Sequence, residues 1–178
     1  MQLAKCTWNG KTVNSGWVTT FSKRTIVSED RVTPTPKGTS FELAALMGCA
    51  VTTALGLINK DAKLKTGQSI AVFGCGAVGL NVVQVATIVS ANPIIAVDIR
   101  DSKLGFALKL GATRTLNPRP LTCAGGIGKV EVVVENTGNV KMAGLAYGLT
   151  VPQGRTIDRS PVLQRHTQER GSTEVNYE

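Results

Sequence analysis

Apolar positions along this chain alternate between short runs and longer stretches. Residues 69–73 (SIAVF) are a brief apolar run rich in β-branched and aromatic side chains, which predicts a buried parallel strand. Residues 80–89 stay apolar for longer and predict a buried helix, and Ile94–Val97 predicts a second strand ending at Asp98. Beyond it, residues 102–110 read as a helix closed by Gly111, a common residue just past a helix end. Residues 112–117 read as a short third strand stopped by Pro118, Val130–Glu135 as a fourth, and 142–149 as a helix. Strands alternating with helices predict βαβ units in a parallel sheet.

The flanks read differently. Residues 1–16 are mixed and turn-rich with no clear period, and residues 17–27 have β character that resumes at Val32. Residues 34–38 (PTPKG) break the chain and mark a change of structural unit. Ser40 can cap a helix that continues through residues 41–58. The small residues Gly48, Ala50, Ala54 and Gly56 in it predict close packing against another backbone or a ligand. Residues 158–178 are polar, carry both signs of charge and lack apolar periodicity, so they are expected to be disordered. No further strand is expected after the last helix. The predicted division is 1–39, 40–157 and 158–178.

The run leaving the first strand is Gly74-Cys75-Gly76-Ala77-Val78-Gly79, a complete G-x-G-x-x-G, and Asp98 follows Gly79 by 19 residues. Gly74 permits the tight turn, Gly76 leaves room for a pyrophosphate at the backbone, and Gly79 lets the helix approach the strand. The helix start offers unpaired N–H groups to phosphates, and Asp98 can accept from ribose hydroxyls. Strand, glycine turn, helix, strand and acid in register predict a Rossmann-type unit. The bland alternative is a βαβ unit that binds no nucleotide. A carboxylate facing a 2′-phosphate is repelled by ~4 kcal/mol for unit charges ~4 Å apart at an effective dielectric near 20, so NAD is favoured over NADP. Arg100, two residues on, softens that preference.

Composition narrows the class. The chain has 178 residues, 42% of them hydrophobic, which suits a globular core. No run approaches ~18 uninterrupted apolar residues, and the N-terminus lacks a signal-peptide core, so the expectation is a soluble cytoplasmic protein without membrane association. The formal charge of +8 is spread out, and aromatics make up only 4%, which argues against nucleic acid as a partner. A diffuse positive field also suits an anionic dinucleotide. The four cysteines, Cys6, Cys49, Cys75 and Cys123, contain no C-x-x-C, and His166 is the only histidine. Reduced thiols are the expected state.

Four segments carry a resemblance: FSKRTIV at 21–27, LMGCAVTTA at 46–54, VFGCGAVGLNVVQVA at 72–86 and IIAVDIRDSKLGFALKLGAT at 94–113. From about Gly16 to about Ile157 the chain resembles the zinc-dependent alcohol dehydrogenases of the medium-chain dehydrogenase/reductase superfamily. The resemblance implies a GroES-like catalytic domain, left as a remnant in residues 1–39, joined to a Rossmann NAD-binding domain in 40–157. The implied reaction is oxidation of a small alcohol to its aldehyde or ketone by hydride transfer to NAD. Position by position, Cys49 matches the third protein ligand of the catalytic zinc, and Thr53 a residue beside the nicotinamide. Gly74, Gly76, Val78 and Gly79 match the pyrophosphate turn, Asp98 the ribose acid, and Lys103 a basic residue near the adenosine ribose. Thr137 and Gly138 match the nicotinamide face. Read from the residues alone, Cys49 is a buried thiol in a helix of small residues.

The chain departs from that pattern. Catalytic zinc in such enzymes takes Cys₂His plus water. The first cysteine and the histidine of that set have no counterpart here, nor does the structural-zinc lobe. The last two strands of the Rossmann sheet are expected to be absent, as in an internal fragment or truncated form. One cysteine does not hold a catalytic zinc, so this chain alone is expected to be inactive. The family's dimers pair through the missing sheet edge, which leaves open whether a homo-oligomer forms. Asn136-Thr137-Gly138 and residues 22–27 lean towards relatives acting on aryl or benzyl alcohols, while Cys49 disfavours a zinc-free quinone or enoyl reductase. The competing readings are a non-catalytic dinucleotide-binding remnant and a chain whose open sheet edge prevents stable folding.

Overall fold

The computed structural model describes residues 5–14, 23–25, 27, 29–119 and 126–158. The chain divides into two compact units, 1–40 and 41–178.

In the first unit, β1 (Lys5–Trp8) and β2 (Lys11–Asn14) pair antiparallel with Trp8 opposite Lys11. The two residues between them, Asn9 and Gly10, have φ of 51° and 73°. Positive φ at both positions is what a two-residue hairpin of type I′ requires, and Asn-Gly is its favoured sequence. Residues 1–16 therefore hold a hairpin where the apolar period suggested none. Most of the predicted strand at 17–27 lies outside the described residues.

The second unit is a five-stranded parallel sheet with helices on both faces. Its strands are β3 (Ile70–Phe73), β4 (Ile94–Val97), β5 (Arg114–Leu116), β6 (Val130–Glu135) and β7 (Thr150–Asp158), in the order β5-β4-β3-β6-β7. β3 and β4 are buried at every position, as their uninterrupted apolar sequences require. Alternate side chains feed two cores. Ile70, Val72, Ile94, Ala96, Val132 and Val134 face one way. They meet α1 (Phe41–Ala62), α2 (Ala77–Ile88) and α3 (Asp101–Lys109), which contribute Ile58, Val82, Val83, Leu104 and Ala107. Ala71, Phe73, Ile95, Val97 and Val133 face the other way, beneath α4 (Val140–Leu149) and its Ala146. The Asn139 side chain caps α4, accepting from the N–H groups of Lys141 (2.9 Å) and Met142 (3.4 Å).

Two expectations are corrected. A fifth strand exists: β7 pairs parallel to β6 from Arg155 opposite Val132 to Asp158 opposite Glu135. Its sequence, TVPQGRTID, hides the strand because Pro152, Gln153 (φ 66°) and Gly154 form a bulge before the pairing resumes. Arg155 anchors it by donating from Nη1 to the Ala62 carbonyl at the end of α1 (2.7 Å). The glycines of α1 make no close contact either: a Cβ at Gly48 or Gly56 would meet nothing within 4 Å, although Ala50 and Ala54 are buried. By length and composition alone, the 22-residue α1 is apolar enough to cross a membrane, with mean hydropathy of 1.8 over an 18-residue window. Only 22% of that window is buried.

Candidate functional site

β3 is the strand at which the winding reverses. From it the chain moves outward through β4 and β5 with α2 and α3 on one face, then returns to β6 and β7 with α4 on the other. In open sheets of this kind a crevice opens beyond the carboxyl ends of the strands at the reversal. A cleft of about 380 Å³ lies there, lined by Phe73, Gly74 and Gly76 in the middle. Asp98, Arg100, Lys103 and Pro118 line one side, and Asn136, Thr137, Asn139 and Met142 the other.

The three motif glycines do three different things. Gly74 has φ of 87°, and a Cβ there would lie 3.0 Å from the Asn136 carbonyl oxygen, so the turn and the close approach of β6 both require glycine. A Cβ at Gly79 would overlap the Gly74 carbonyl oxygen. At Gly76 a Cβ would meet nothing within 4 Å, although Gly76 lines the cleft. That open space lies at the start of α2, for which Gly76 is the N-cap residue. The helix begins at Ala77, earlier than the apolar run from Leu80 predicts, so Val78 and Gly79 lie in its first turn. The first N–H groups of a helix lack intrahelical partners and favour an anion.

Asp98 ties the turn to the second strand. Its Oδ2 accepts the Cys75 N–H (2.8 Å) and its Oδ1 the Arg100 N–H (2.9 Å), while Lys103 Nζ lies 3.6 Å from Oδ2. A carboxylate offers about four lone-pair sites, so room for a hydroxyl donor remains. The Cys75 thiol is fully buried and pushed up to about 11, by burial first and by Asp98 second, with Lys103 opposing. It packs in the core and is not a nucleophile.

On the opposite wall, the Glu135 carboxyl ends β6 completely buried. Its Oε1 accepts the Thr137 N–H (2.8 Å) and also the Thr137 hydroxyl through a short bond. Burial pushes its pKa above the usual carboxylate range, the bonds from Thr137 oppose that shift, and Asp158 adds to it. The residues alone gave no reason to single out Glu135: it looks like the polar end of an apolar strand. The signal was its position one residue before the Asn136-Thr137-Gly138 turn.

The structure brings Gly74, Gly76, Asp98, Lys103 and Thr137 together around one cleft. Val78, Gly79 and Gly138 flank it, the first packed against the core, and Gly138 has φ of 74°. Thr53 and Cys49 lie on α1 and are not among the lining residues. Cys49 is exposed, against the buried-thiol reading. Among the described residues no group of three or more His, Cys, Asp or Glu side chains could hold a metal ion. The described residues therefore do not fit a catalytic zinc.

The zinc-binding dehydrogenase family model matches residues 77–157. The S-(hydroxymethyl)glutathione dehydrogenase of Saccharomyces cerevisiae is 36% identical over 128 residues, covering 72% of this chain and 32% of that protein. Over these residues the chain is similar to the zinc-dependent alcohol dehydrogenases. Solved structures agree: an alcohol dehydrogenase zinc-binding domain protein from Burkholderia ambifaria matches with a TM-score of 0.65 at 34% identity, over 69% of this chain and 35% of its own. The benzyl alcohol dehydrogenase of Acinetobacter calcoaceticus matches with a TM-score of 0.66 at 28% identity, over 81% and 39%. The chain spans about a third of the length of the family members it matches.

Proposed function

We propose that this chain is the dinucleotide-binding part of an NAD-linked alcohol dehydrogenase-type oxidoreductase, with a small alcohol or aldehyde as the substrate class. One observation carries the reading: a cleft at the reversal of the sheet has Asp98 on one wall, Thr137 on the other, and an open floor at Gly76. Asp98 accepts the adenosine ribose hydroxyls, with Lys103 beside it. The pyrophosphate lies against Gly76 and the first turn of α2, where backbone N–H groups and the helix dipole favour negative charge. Asn136 and Thr137, on the other wall, would hold the other half of the dinucleotide. NAD, when bound, supplies the hydride acceptor for alcohol oxidation. The residues of this chain bind and orient it and exclude water from one face. Residues 1–39 are by this reading a remnant of the catalytic domain, and the setting is cytoplasmic.

A second reading is favoured by the exposed Cys49 and by the lack of a metal-holding group among the described residues. On it, the chain binds the dinucleotide and catalyses nothing. Titration with NADH, followed by nicotinamide fluorescence, tests the shared claim: saturable binding lost in Gly76→Val supports it, and no binding by the folded wild type overturns it. Zinc near one per chain with NAD-dependent turnover of benzyl alcohol decides for the enzyme. NADH binding without metal or turnover decides for the binding module.

A further inference from the structure

The wall of the cleft formed by residues 136–139 is a short turn between β6 and α4. Thr137 is exposed, yet its N–H and hydroxyl both point back into the protein, to one oxygen of Glu135. Thr137 Oγ in turn accepts the Asn139 N–H (3.1 Å), and Asn139 caps α4. One buried carboxyl thus holds Thr137, Thr137 holds Asn139, and Asn139 fixes the helix start. Asn136, Thr137 and Asn139 all line the cleft.

The second oxygen of that carboxyl, Oε2, is buried and has no hydrogen-bond partner among the described residues. A buried carboxyl oxygen without a donor is costly when charged, so the group is poised between a proton on Oε2 and an ionised form braced by Thr137. Its surroundings decide the balance. β3 presents Phe73 beside it, and α4 lays Met142 and Ala146 on that face of the sheet, none of them titratable. β7 presents Asp158, the charged group that acts on it.

We propose that Glu135 is a positioning residue for the dinucleotide cleft, whose ionisation tightens the 136–139 wall by strengthening its bonds to Thr137. The proposal deepens the dinucleotide reading above by naming what sets the geometry of the second wall. The coupling follows from linkage: bonds that favour the ionised carboxyl are themselves favoured by ionisation, and hydrogen bonds to a charged acceptor are roughly twice as strong as neutral ones. Burial works against the charge but does not depend on whether the turn is made.

The test is read first in the ligand-free chain. Amide exchange of Thr137, corrected for intrinsic rate, is followed across pH in the wild type, Glu135→Gln and Glu135→Val. The wild type should gain about five- to tenfold protection at Thr137 as Glu135 ionises. Glu135→Gln keeps an oxygen for both bonds and should keep a pH-independent, intermediate protection. Glu135→Val should lose protection at every pH. NADH dissociation constants are measured on the same samples. Affinity that follows Thr137 protection in the wild type and stays flat in Glu135→Gln supports the link to the cleft. Protection that is flat in the wild type, or that varies equally in Glu135→Gln, overturns the proposal, as does NADH affinity that ignores protection. If the wild type binds no NADH at all, the dinucleotide reading falls, and the exchange data still decide the role of Glu135 in the turn.

Discussion

Gly79, in the first turn of α2, lies so close to Gly74 at the end of β3 that a single methyl group on it would overlap the Gly74 carbonyl oxygen. Gly76, between them, faces open space. Two glycines of one motif therefore make opposite predictions. Gly79→Ala should force α2 off the sheet and destabilise the fold by about 1–3 kcal/mol or more, measured by urea denaturation. A Cβ at Gly76 meets nothing within 4 Å and the backbone there is unremarkable (φ −81°, ψ −167°), so the stability of Gly76→Val should stay within about 1 kcal/mol of wild type. On the proposed reading its side chain enters the space of the pyrophosphate, and NADH binding should disappear. Equal destabilisation by both substitutions would sink this division of roles.

Asp98 serves the fold through its bonds to Cys75 and Arg100, and on the proposed reading it also faces the ribose. Asp98→Asn keeps one carbonyl oxygen for the Cys75 or Arg100 N–H and turns an NH₂ towards the other, so about 1–3 kcal/mol of stability should be lost. The loss of charge also removes the repulsion of a 2′-phosphate. The ratio of NADPH to NADH dissociation constants should therefore fall at least about tenfold, roughly 1.4 kcal/mol of the ~4 kcal/mol available to unit charges at contact. An unchanged ratio would show that Asp98 does not face the ribose.

The βαβ core was readable because its apolar runs are long for their type and its punctuation is local. Glycines that need positive φ or a close approach sit where the strand ends, and Asp98 sits where the next strand ends. β7 was not readable for the opposite reason. Pro152 and Gly154 look like a terminator, and only pairing with β6, a contact distant in sequence, makes Arg155 to Asp158 a strand. The hairpin at residues 5–14 carried a local signal, Asn9-Gly10, that the missing apolar alternation obscured. Glu135 was hidden differently. A carboxylate at the end of an apolar strand looks like the edge of the core, and only the fold shows that β7 and α4 cover it.

Cys75 and Cys49 should separate by reactivity. Cys75 is fully buried with its thiol pushed up to about 11, while Cys49 is exposed. At pH 8 an alkylating reagent should label Cys49 in the folded chain within minutes and leave Cys75 untouched until the chain unfolds, read by peptide mass spectrometry. Labelling of Cys75 at a rate close to that of Cys49 under native conditions would mean that the glycine turn opens readily, and the packing described for Asp98 and Gly79 would have to be abandoned.

Two glutamates on β6 should pull the pH dependence of stability in opposite directions. Glu131, near the start of the strand, accepts from the Ser69 N–H (2.7 Å), the Ser69 hydroxyl (2.8 Å) and the Gln68 amide (3.3 Å), and these bonds hold its pKa below 4.5. Its contribution is present above the unfolded value and is lost as pH falls through the lowered folded value. Glu135, at the other end, has its pKa raised by burial, so the folded chain keeps a proton that the unfolded chain releases. Its contribution is present below the ordinary value of 4.5 and is lost as pH rises from there through the raised folded value, at no more than about 1.4 kcal/mol per pH unit. Denaturation midpoints measured from pH 3 to pH 8 should therefore lose their acid-side rise in Glu131→Gln and their higher-pH decline in Glu135→Gln. Glu135→Gln should also be the more stable chain above that window, because an amide replaces a buried charge beside Asp158 without giving up the acceptor for Thr137. A decline of undiminished slope in Glu135→Gln would place the responsible proton elsewhere, and Asp158→Asn would be the next variant to measure.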